Sequence, residues 1–221
     1  MNALILGAGG LGGPAALGLA AAGVRHISIV DDDRVDPTNL SRQIFYGDDD
    51  VGSLKAEVLA RALRERFPDL AAQPVIARFT RENAAALVRA SDVVLDATDN
   101  FPTRFLANDV CVSLGVPLVH GAALRWLGQV LAIVPGRTPC LRCLFEGEPP
   151  AGAAPTCAQA GVVSPLVGVV GGWMVEAACA LGNRSLGRWD GALRTLDGWS
   201  GQERWVPVGR DPACSICGKA A

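Results

Sequence analysis

Residues 3–23 read ALILGAGGLGGPAALGLAAAG, and this stretch decides the fold. An apolar run at 3–6 leads into three glycines with the spacing Gly-x-Gly-x-x-Gly, namely Gly7, Gly9 and Gly12. An Ala/Leu-rich helix is predicted at 11–22, and Gly23 would end it. Strand, glycine turn and helix in this order are typical of nucleotide-binding α/β domains, because the glycines let the backbone approach a phosphate at the helix N-terminus.

The second predicted strand covers residues 26–30, and an acidic triplet, Asp31-Asp32-Asp33, follows it. Its first member, Asp31, has the spacing from Gly12 at which an acid binds the ribose hydroxyls of a nucleotide. The pattern indicates a nucleotide without saying which one. A glycine-rich turn that holds no ligand is the alternative.

The rest of the chain alternates between short apolar runs and helical patterns. Further strands are predicted at 74–77, 93–95 and 118–119, and helices at 54–67, 83–89 and 103–114. This alternation predicts an α/β fold with a doubly wound, mainly parallel, Rossmann-like sheet. After residue 128 we predict a strand at 129–134, a loop at 146–155, a buried helix at 163–181, and an antiparallel hairpin at 192–196 and 203–208. One domain over 1–221 follows, with a nucleotide-binding half at 1–135 and a second half at 136–221.

Composition excludes several classes of protein. The 221 residues are half hydrophobic, and a net charge of −2 supplies no basic face for nucleic acid. Residues 1–24 are uncharged but lack the basic start of a signal peptide, and 157–175 hold too many glycines for a good membrane span. We therefore expect a cytoplasmic protein that binds neither nucleic acid nor a membrane.

Three charged residues stand out beside the predicted nucleotide turn. The chain has only two lysines, and Lys55 begins the helix at 54–67. Together with Arg42 it would offset the charge that builds on a leaving pyrophosphate, whereas the alternative is a solvated arginine and a surface lysine. Asp99 follows the strand at 93–95, where it could hold Mg²⁺ against phosphates. Its alternative role is a helix cap, because Asp99 or Asn100 precedes Pro102 at a natural helix start.

Seven cysteines occur in the chain, and four form two Cys-x-x-Cys pairs: Cys140, Cys143, Cys214 and Cys217. Four thiolates suit a tetrahedral, structural Zn²⁺, and a redox pair is the rival interpretation. Cys157 is a candidate nucleophile or sulfur acceptor, with an ordinary buried cysteine as the alternative. Cys111 and Cys179 are assigned to the core. His26 and His120 adjoin predicted strands without a partner motif and are interpreted as structural.

Taken together, these motifs resemble the ThiF/MoeB/HesA family, relatives of the ubiquitin-activating enzymes. The matching motifs occur in family order and are Gly7 to Gly12, Asp31-x-Asp33, Asn39-Leu40-Ser41-Arg42-Gln43, Val51-Gly52-x-x-Lys55, Thr98-Asp99-Asn100, the two cysteine pairs, and Cys157-x-x-x-Gly161. The resemblance implies that ATP adenylates the C-terminal carboxylate of a small ubiquitin-like sulfur carrier protein ending in Gly-Gly, before a thiocarboxylate forms. It also implies a homodimer and a sulfur donor such as a cysteine desulfurase, with residues 136–221 facing the carrier.

Position by position, the resemblance implies that Gly10 and the turn approach the phosphates, Asp31 binds the ribose, and Asp99 holds Mg²⁺. Contacts to the triphosphate are implied for Asn39, Arg42 and Lys55, and the predicted nucleotide site also includes Asp33, Gln43 and Asn100. Cys157 matches the cysteine that ThiF-type members can join covalently to the carrier. Family members usually carry a helical segment before the first strand that lends an arginine to the partner subunit's ATP site, and this sequence starts at that strand. No rhodanese domain follows the second cysteine pair, so a persulfide is expected from another protein.

The leading hypothesis is a carrier-protein adenylyltransferase for thiamine thiazole sulfur, with the molybdopterin pathway as the nearest alternative. An NAD-dependent oxidoreductase shares the glycine turn and Asp31, but it leaves Arg42, Lys55 and the cysteine pairs unexplained. A noncatalytic family member that binds nucleotide or carrier is the third alternative, because the arginine segment is missing.

Overall fold

The computed structural model describes residues 1–145, 147–150 and 160–218. Its strands are β1 (Asn2–Leu6), β2 (His26–Val30), β3 (Ala71–Val75), β4 (Val93–Asp96), β5 (Leu118–Leu124), β6 (Leu127–Ile133), β7 (Ala192–Asp197) and β8 (Gln202–Pro207). Its α-helices are α1 (Gly12–Ala21), α2 (Lys55–Arg66), α3 (Arg81–Arg89), α4 (Phe101–Leu114), α5 (Leu141–Leu144) and α6 (Ser164–Gly182). The loop predicted at 146–155 lies mostly outside the described residues.

The eight strands form one sheet in the order β3-β2-β1-β4-β5-β6-β7-β8. The first five strands are parallel, and β5 to β8 are joined by antiparallel pairing. The predicted α/β class and the antiparallel C-terminal hairpin are therefore confirmed. The strands β2 and β3 lie on one side of β1, and β4 and β5 lie on the other. The strand order therefore reverses at β1, and a crevice opens between the carboxyl ends of β1 and β4, where such sheets bind ligands.

Side chains alternate between the two faces of the sheet along each strand. Both faces carry apolar residues, and helices cover both of them. Ile5 and Ile29 are fully buried on one face, which α1, α2 and α6 cover. Leu4 and Leu6 point to the other face, where α3, α4 and the cysteine-bearing segments pack. The apolar clusters on the two faces therefore fix β1 and β4, whose carboxyl ends flank the crevice.

The long apolar helix α6 belongs to the core. It is long and apolar enough to cross a membrane by composition alone, a test that core helices of soluble proteins also pass. Its Val170 and Met174 are fully buried, and Gly171 lies against Pro14 of α1 and the carbonyl of Leu11, which precedes that helix. The prediction of a buried helix at 163–181 is thus confirmed.

One predicted strand is shifted along the chain, and another is longer than predicted. The strand predicted at 74–77 occurs at Ala71–Val75, where its register follows β2 and the small residues Ala71 and Ala72 gave no apolar signal. Pro74 is tolerated because β3 is an edge strand. The strand predicted at 118–119 extends to Leu124, through the small residues of a hairpin whose other strand is β6.

Gly12 is required by the packing at the start of α1. A Cβ at this position would lie 1.8 Å from the Gly7 carbonyl oxygen, so Gly12→Ala should displace the turn and destabilise the fold by about 3 kcal/mol. Gly172→Ala is the matched control, since Gly172 lies in α6 with open space around it. That change should stabilise the chain by about 0.5 to 1 kcal/mol. Chemical denaturation of both variants checks the pair, and equal stability would contradict the assigned role of Gly12.

Candidate functional site

The glycine turn joins the ends of three strands. The Gly7 N–H donates to the Val30 carbonyl at 2.9 Å, and the Ala97 N–H donates to the Leu6 carbonyl at 2.9 Å. Gly7 has φ 95°, and a Cβ there would lie 3.0 Å from the Ala97 carbonyl oxygen. Only glycine fits this conformation at such a close approach. The turn after β1 therefore lies against the segment that follows β4.

A polar pocket of about 210 Å³ occupies this crevice. Most of the predicted site residues line it: Gly7, Gly9, Gly10, Asp31, Asp33, Arg42, Gln43, Lys55, Asp99 and Asn100. Gly12 is turned away and packs against Gly7. Asn39 is buried and does not line the pocket. Sequence motifs that are far apart in the chain thus surround one cavity at the N-terminus of α1, which is suited to an anionic group.

Asp31 fixes the glycine turn from the end of β2. Its Oδ2 accepts the Ala8 N–H at 2.6 Å, and its Oδ1 accepts the Asp33 N–H at 2.8 Å. Burial raises the pKa of this carboxyl, while the two backbone donors and the nearby Lys55 act to lower it. Asp31 therefore orders the turn as well as facing the pocket, where its remaining lone pairs can accept hydroxyl groups.

Two cations approach the pocket from different elements. Lys55, in the first turn of α2, is buried to 7% exposure, and its Nζ contacts Asp33 Oδ2 at 3.0 Å. Arg42 lies in the loop after β2, where its Nη1 donates to the Thr38 carbonyl at 2.9 Å. The alternative of a solvated arginine and a surface lysine does not describe them fully, because both residues line the cavity.

In the segment after β4, Asn100 caps a helix and Asp99 does not. Asn100 caps α4, because its Oδ1 accepts the Thr103 N–H at 3.0 Å, and Pro102 follows in the first turn. The helix consequently begins at Phe101, two residues before the predicted start. The capping alternative is therefore wrong for Asp99, which is exposed at the pocket and can face a cation.

Two buried amide oxygens near the pocket accept no hydrogen bond from the described residues. In the part of the chain that the structure describes, Asn39 Oδ1 and Gln43 Oε1 are buried without a hydrogen-bond partner. Such orphaned acceptors are rare in folded proteins unless water or a ligand satisfies them. Gln43 lines the pocket, and its Nε2 lies 3.5 Å from where a Cβ of Gly9 would be. A ligand that donates hydrogen bonds beside the glycine turn fits this arrangement.

A second cavity, of about 710 Å³, adjoins the first. Its floor is one face of the antiparallel strands, and its walls include Phe101, Leu141 and Phe145. Asp99, Asn100 and Arg104 line both cavities. The two spaces therefore meet at the segment after β4.

Arg104 is a site residue that the sequence analysis missed. It lies on α4, stacks over the Phe101 ring at 5.4 Å, and donates from Nε and Nη2 to the Thr98 carbonyl at 3.2 and 2.8 Å. A position one turn after the cap Asn100 was a possible signal, because that side of the helix faces the ligand edge of the sheet. Its guanidinium lies at the junction of the two cavities.

His120, which was interpreted as structural because the sequence shows no partner motif, has a partner in Asp96. His120 Nδ1 lies 2.7 Å from Asp96 Oδ2, and both side chains are buried. Burial acts to raise the pKa of Asp96, but the hydrogen bonds from His120 and Thr98 hold it below its ordinary value. The pair joins adjacent strands in register, which no local pattern reveals.

The four predicted metal cysteines form one cluster. Their sulfur atoms all lie within 4.8 Å of one another, with 3.7 Å between Cys140 and Cys214 and 3.3 Å between Cys143 and Cys217. A tetrahedral ZnS₄ site with bonds of about 2.3 Å has sulfur atoms about 3.8 Å apart. Burial raises the pKa of the Cys140 and Cys143 thiols, whereas backbone donors outweigh burial at Cys214 and lower its pKa to about 7. The set therefore fits a thiolate-bound metal.

The other cysteines are placed as follows. Cys111 is fully buried, as predicted, and Cys179 is only partly buried, so its assignment to the core was wrong in part. Cys157 lies outside the described residues, and its suggested role as nucleophile or sulfur acceptor stays a prediction.

The fold and the site define an α/β domain of the nucleotide-binding type, whose polar pocket beside the glycine turn adjoins a second cavity. The model of the ThiF family matches residues 1–216, and the chain belongs to that family. A Haloferax volcanii protein named SAMP-activating enzyme E1 is 45% identical over 98% of this chain and 80% of its own length. A Thermus thermophilus protein named sulfur carrier protein adenylyltransferase is 42% identical over 98% of this chain and 82% of its own. A Dictyostelium discoideum relative named adenylyltransferase and sulfurtransferase MOCS3 is 39% identical, and the match covers 98% of this chain and 52% of the relative.

Among solved structures, Escherichia coli MccB with ATP has a TM-score of 0.86 at 23% identity, and the match covers 99% of this chain and 67% of MccB. This likeness shows that the fold is shared. The relatives named above confirm the predicted enzyme class, so the chain is an adenylyltransferase.

Proposed function

We propose that this enzyme uses ATP to adenylate the C-terminal Gly-Gly carboxylate of a small ubiquitin-like sulfur carrier protein. The observation that carries the proposal is the shared boundary of the two cavities, formed by Asp99, Asn100, Arg104 and Ala123. A triphosphate on the glycine turn and an extended tail in the larger cavity would meet at this boundary. The names of the relatives supply the class of acyl substrate.

The chemistry required is a single displacement. A carboxylate oxygen of the tail attacks the α-phosphorus, the bond to the β-phosphate oxygen breaks, and pyrophosphate leaves with the electron pair. The glycine turn and the N-terminus of α1 bind phosphate oxygens, and Lys55 and Arg42 offset the negative charge on the leaving group. Arg104 lies where it can hold the attacking carboxylate in line.

Two metals belong to the proposal. An exposed carboxylate beside a phosphate pocket is the donor that Mg²⁺ uses in such sites, and Asp99 would hold it. Mg²⁺ would supply charge neutralisation of the triphosphate. The four cysteine sulfurs fit Zn²⁺ with no open coordination position, so we propose a structural zinc that joins residues 214–217 to the body of the domain.

The pathway and the assembly are finer parts of the proposal. We favour a carrier that supplies sulfur for the thiamine thiazole, and a molybdopterin-synthase carrier fits relatives such as MOCS3 equally well. We further propose one adenylation domain whose second half faces the carrier, a homodimer, and a separate sulfur donor such as a cysteine desulfurase.

Exchange of labelled pyrophosphate into ATP tests the proposal. Purified enzyme with Mg²⁺ should exchange the label only when a Gly-Gly carrier is present, and carriers of the thiamine and molybdopterin types from the same genome should be compared. A carrier ending in Gly-Gly-amide, which has no free carboxylate, is the matched control and should give no exchange. Absence of exchange with every carrier, or tight NADH binding without ATP binding, would reject the proposal in favour of the noncatalytic or oxidoreductase alternative.

A further inference from the structure

His120 is a buried imidazole with one ring nitrogen left over. It lies on β5, directly opposite Asp96 in the register of the parallel pair, and Nδ1 contacts Asp96 Oδ2 at 2.7 Å. Among the described residues, no hydrogen-bond partner is found for Nε2. Only 2% of the side chain is exposed, and yet the residue lines the larger cavity.

The residues around His120 connect it to the cavity proposed for the tail. On one face of β5, His120 is followed by Ala122 and Leu124, and all three line the larger cavity. The same cavity includes Asp99 and Arg104 at the boundary with the nucleotide pocket. His120 therefore lines the same cavity as the two residues that adjoin the nucleotide pocket.

Asp96 fixes the orientation and the tautomer of the imidazole. Asp96 Oδ1 already accepts from the Thr98 N–H at 3.1 Å and from Thr98 Oγ1 at 2.6 Å, so the carboxylate is held on two sides. An ionised carboxylate only accepts hydrogen bonds, so the single ring proton of a neutral His120 lies on Nδ1, and Nε2 of that tautomer is an acceptor. The ring thus offers the cavity one well-oriented acceptor.

We propose that His120 is a substrate-binding residue whose Nε2 accepts a hydrogen bond from a main-chain N–H of the tail that carries the reacting carboxylate. An extended tail ending in glycine offers such N–H groups and no side chain that would clash with the buried ring. The inference rests on the proposed function, and it adds a tail-recognition residue whose orientation depends on Asp96. His120 does no chemistry on the phosphates.

The test compares two substitutions that divide the functions of the imidazole. In His120→Asn the amide can replace Nδ1 as donor to Asp96, but nothing reaches the position of Nε2. In His120→Gln the amide reaches the position of Nε2, and Asp96 loses its donor. We expect the Asn variant to keep the thermal stability of the native enzyme and its KM for ATP, while KM for the carrier rises about three- to tenfold, the effect of one lost hydrogen bond.

The Gln variant should show the opposite pattern, with lower thermal stability and a KM for the carrier close to that of the native enzyme. A purely structural His120 predicts instead that the Asn variant behaves as the native enzyme in every assay, and that result would overturn the inference. Carriers in which each of the last two glycines is replaced in turn by N-methylglycine identify the N–H. One of them should weaken binding to the native enzyme but add nothing to the defect of His120→Asn.

Failure of this inference is distinguishable from failure of the proposed function. If the native enzyme gives no carrier-dependent exchange, the adenylation proposal fails before His120 is tested. If the native enzyme gives exchange and the Asn variant has an unchanged KM for the carrier, only the role of His120 is rejected.

Discussion

Lys55→Met should lower the kcat of carrier-dependent ATP–pyrophosphate exchange by about two to three orders of magnitude. Removal of one charged or hydrogen-bonding group that stabilises a developing anion has effects of this size. Lys55 is 7% exposed and lines the nucleotide pocket, so water would replace its charge poorly. Methionine keeps most of the length of the side chain, and the partner Asp33 stays solvated because 68% of its side chain is exposed.

Arg61→Met is the control for this prediction. Arg61 lies on the same helix, pairs with Asp50 at 3.0 Å, and is 57% exposed. The variant therefore loses the same charge from α2 at a place that does not line the pocket, and its kcat should stay within about twofold of the native value. Equal losses in the two variants would mean that the net charge of α2, rather than contact with the triphosphate, is what matters.

Cys214→Ala should remove the metal and a large part of the stability. We expect the native protein to contain one zinc per chain and the variant to contain none, because three thiolates and a hydrophobic methyl group hold zinc weakly. Binding of a structural zinc contributes directly to folding, so the melting temperature should fall by on the order of 10 °C. Atomic emission and calorimetry measure the two quantities on the same samples.

Cys179→Ala provides the comparison for the zinc experiment. Cys179 is a partly buried free cysteine on α6, outside the sulfur cluster. This variant should keep its zinc, with a melting temperature within a few degrees of the native value. A native protein that contains no metal after purification without chelators, or a Cys214→Ala protein that retains its full zinc content, would contradict the assignment.

Residues in local motifs were predictable from the sequence. The glycine turn with its flanking strand and helix is encoded within residues 3–23, and Asp31 follows from the end of the next strand. The two Cys-x-x-Cys pairs predicted a cluster because each pair is a local turn that presents two thiols. Arg42 and Lys55 came from their place beside the turn, and the structure brings both to one pocket. Their roles in binding ATP stay predictions.

Features that depend on distant contacts were missed. The extension of β5 to Leu124 includes Gly121, which has weak strand propensity but is needed because a Cβ there would lie 2.3 Å from the Met174 sulfur of α6. The pairing of His120 with Asp96 depends on the register of two strands. Arg104 could be suspected only from its position one turn after the cap Asn100, and the position of the two cavities is what reveals its place in the site.

The central claim is that ATP adenylates the carrier, and following the α- and γ-phosphates of ATP tests it most directly. Enzyme, Mg²⁺ and a Gly-Gly carrier are incubated with ATP labelled at the α-phosphate or, separately, at the γ-phosphate, and the quenched carrier is analysed by intact mass spectrometry and label counting. We predict that the carrier gains one AMP with the α label, and that the γ label leaves as pyrophosphate. A carrier that gains the γ label, or one that gains no mass from ATP while the enzyme retains zinc, would contradict adenylation.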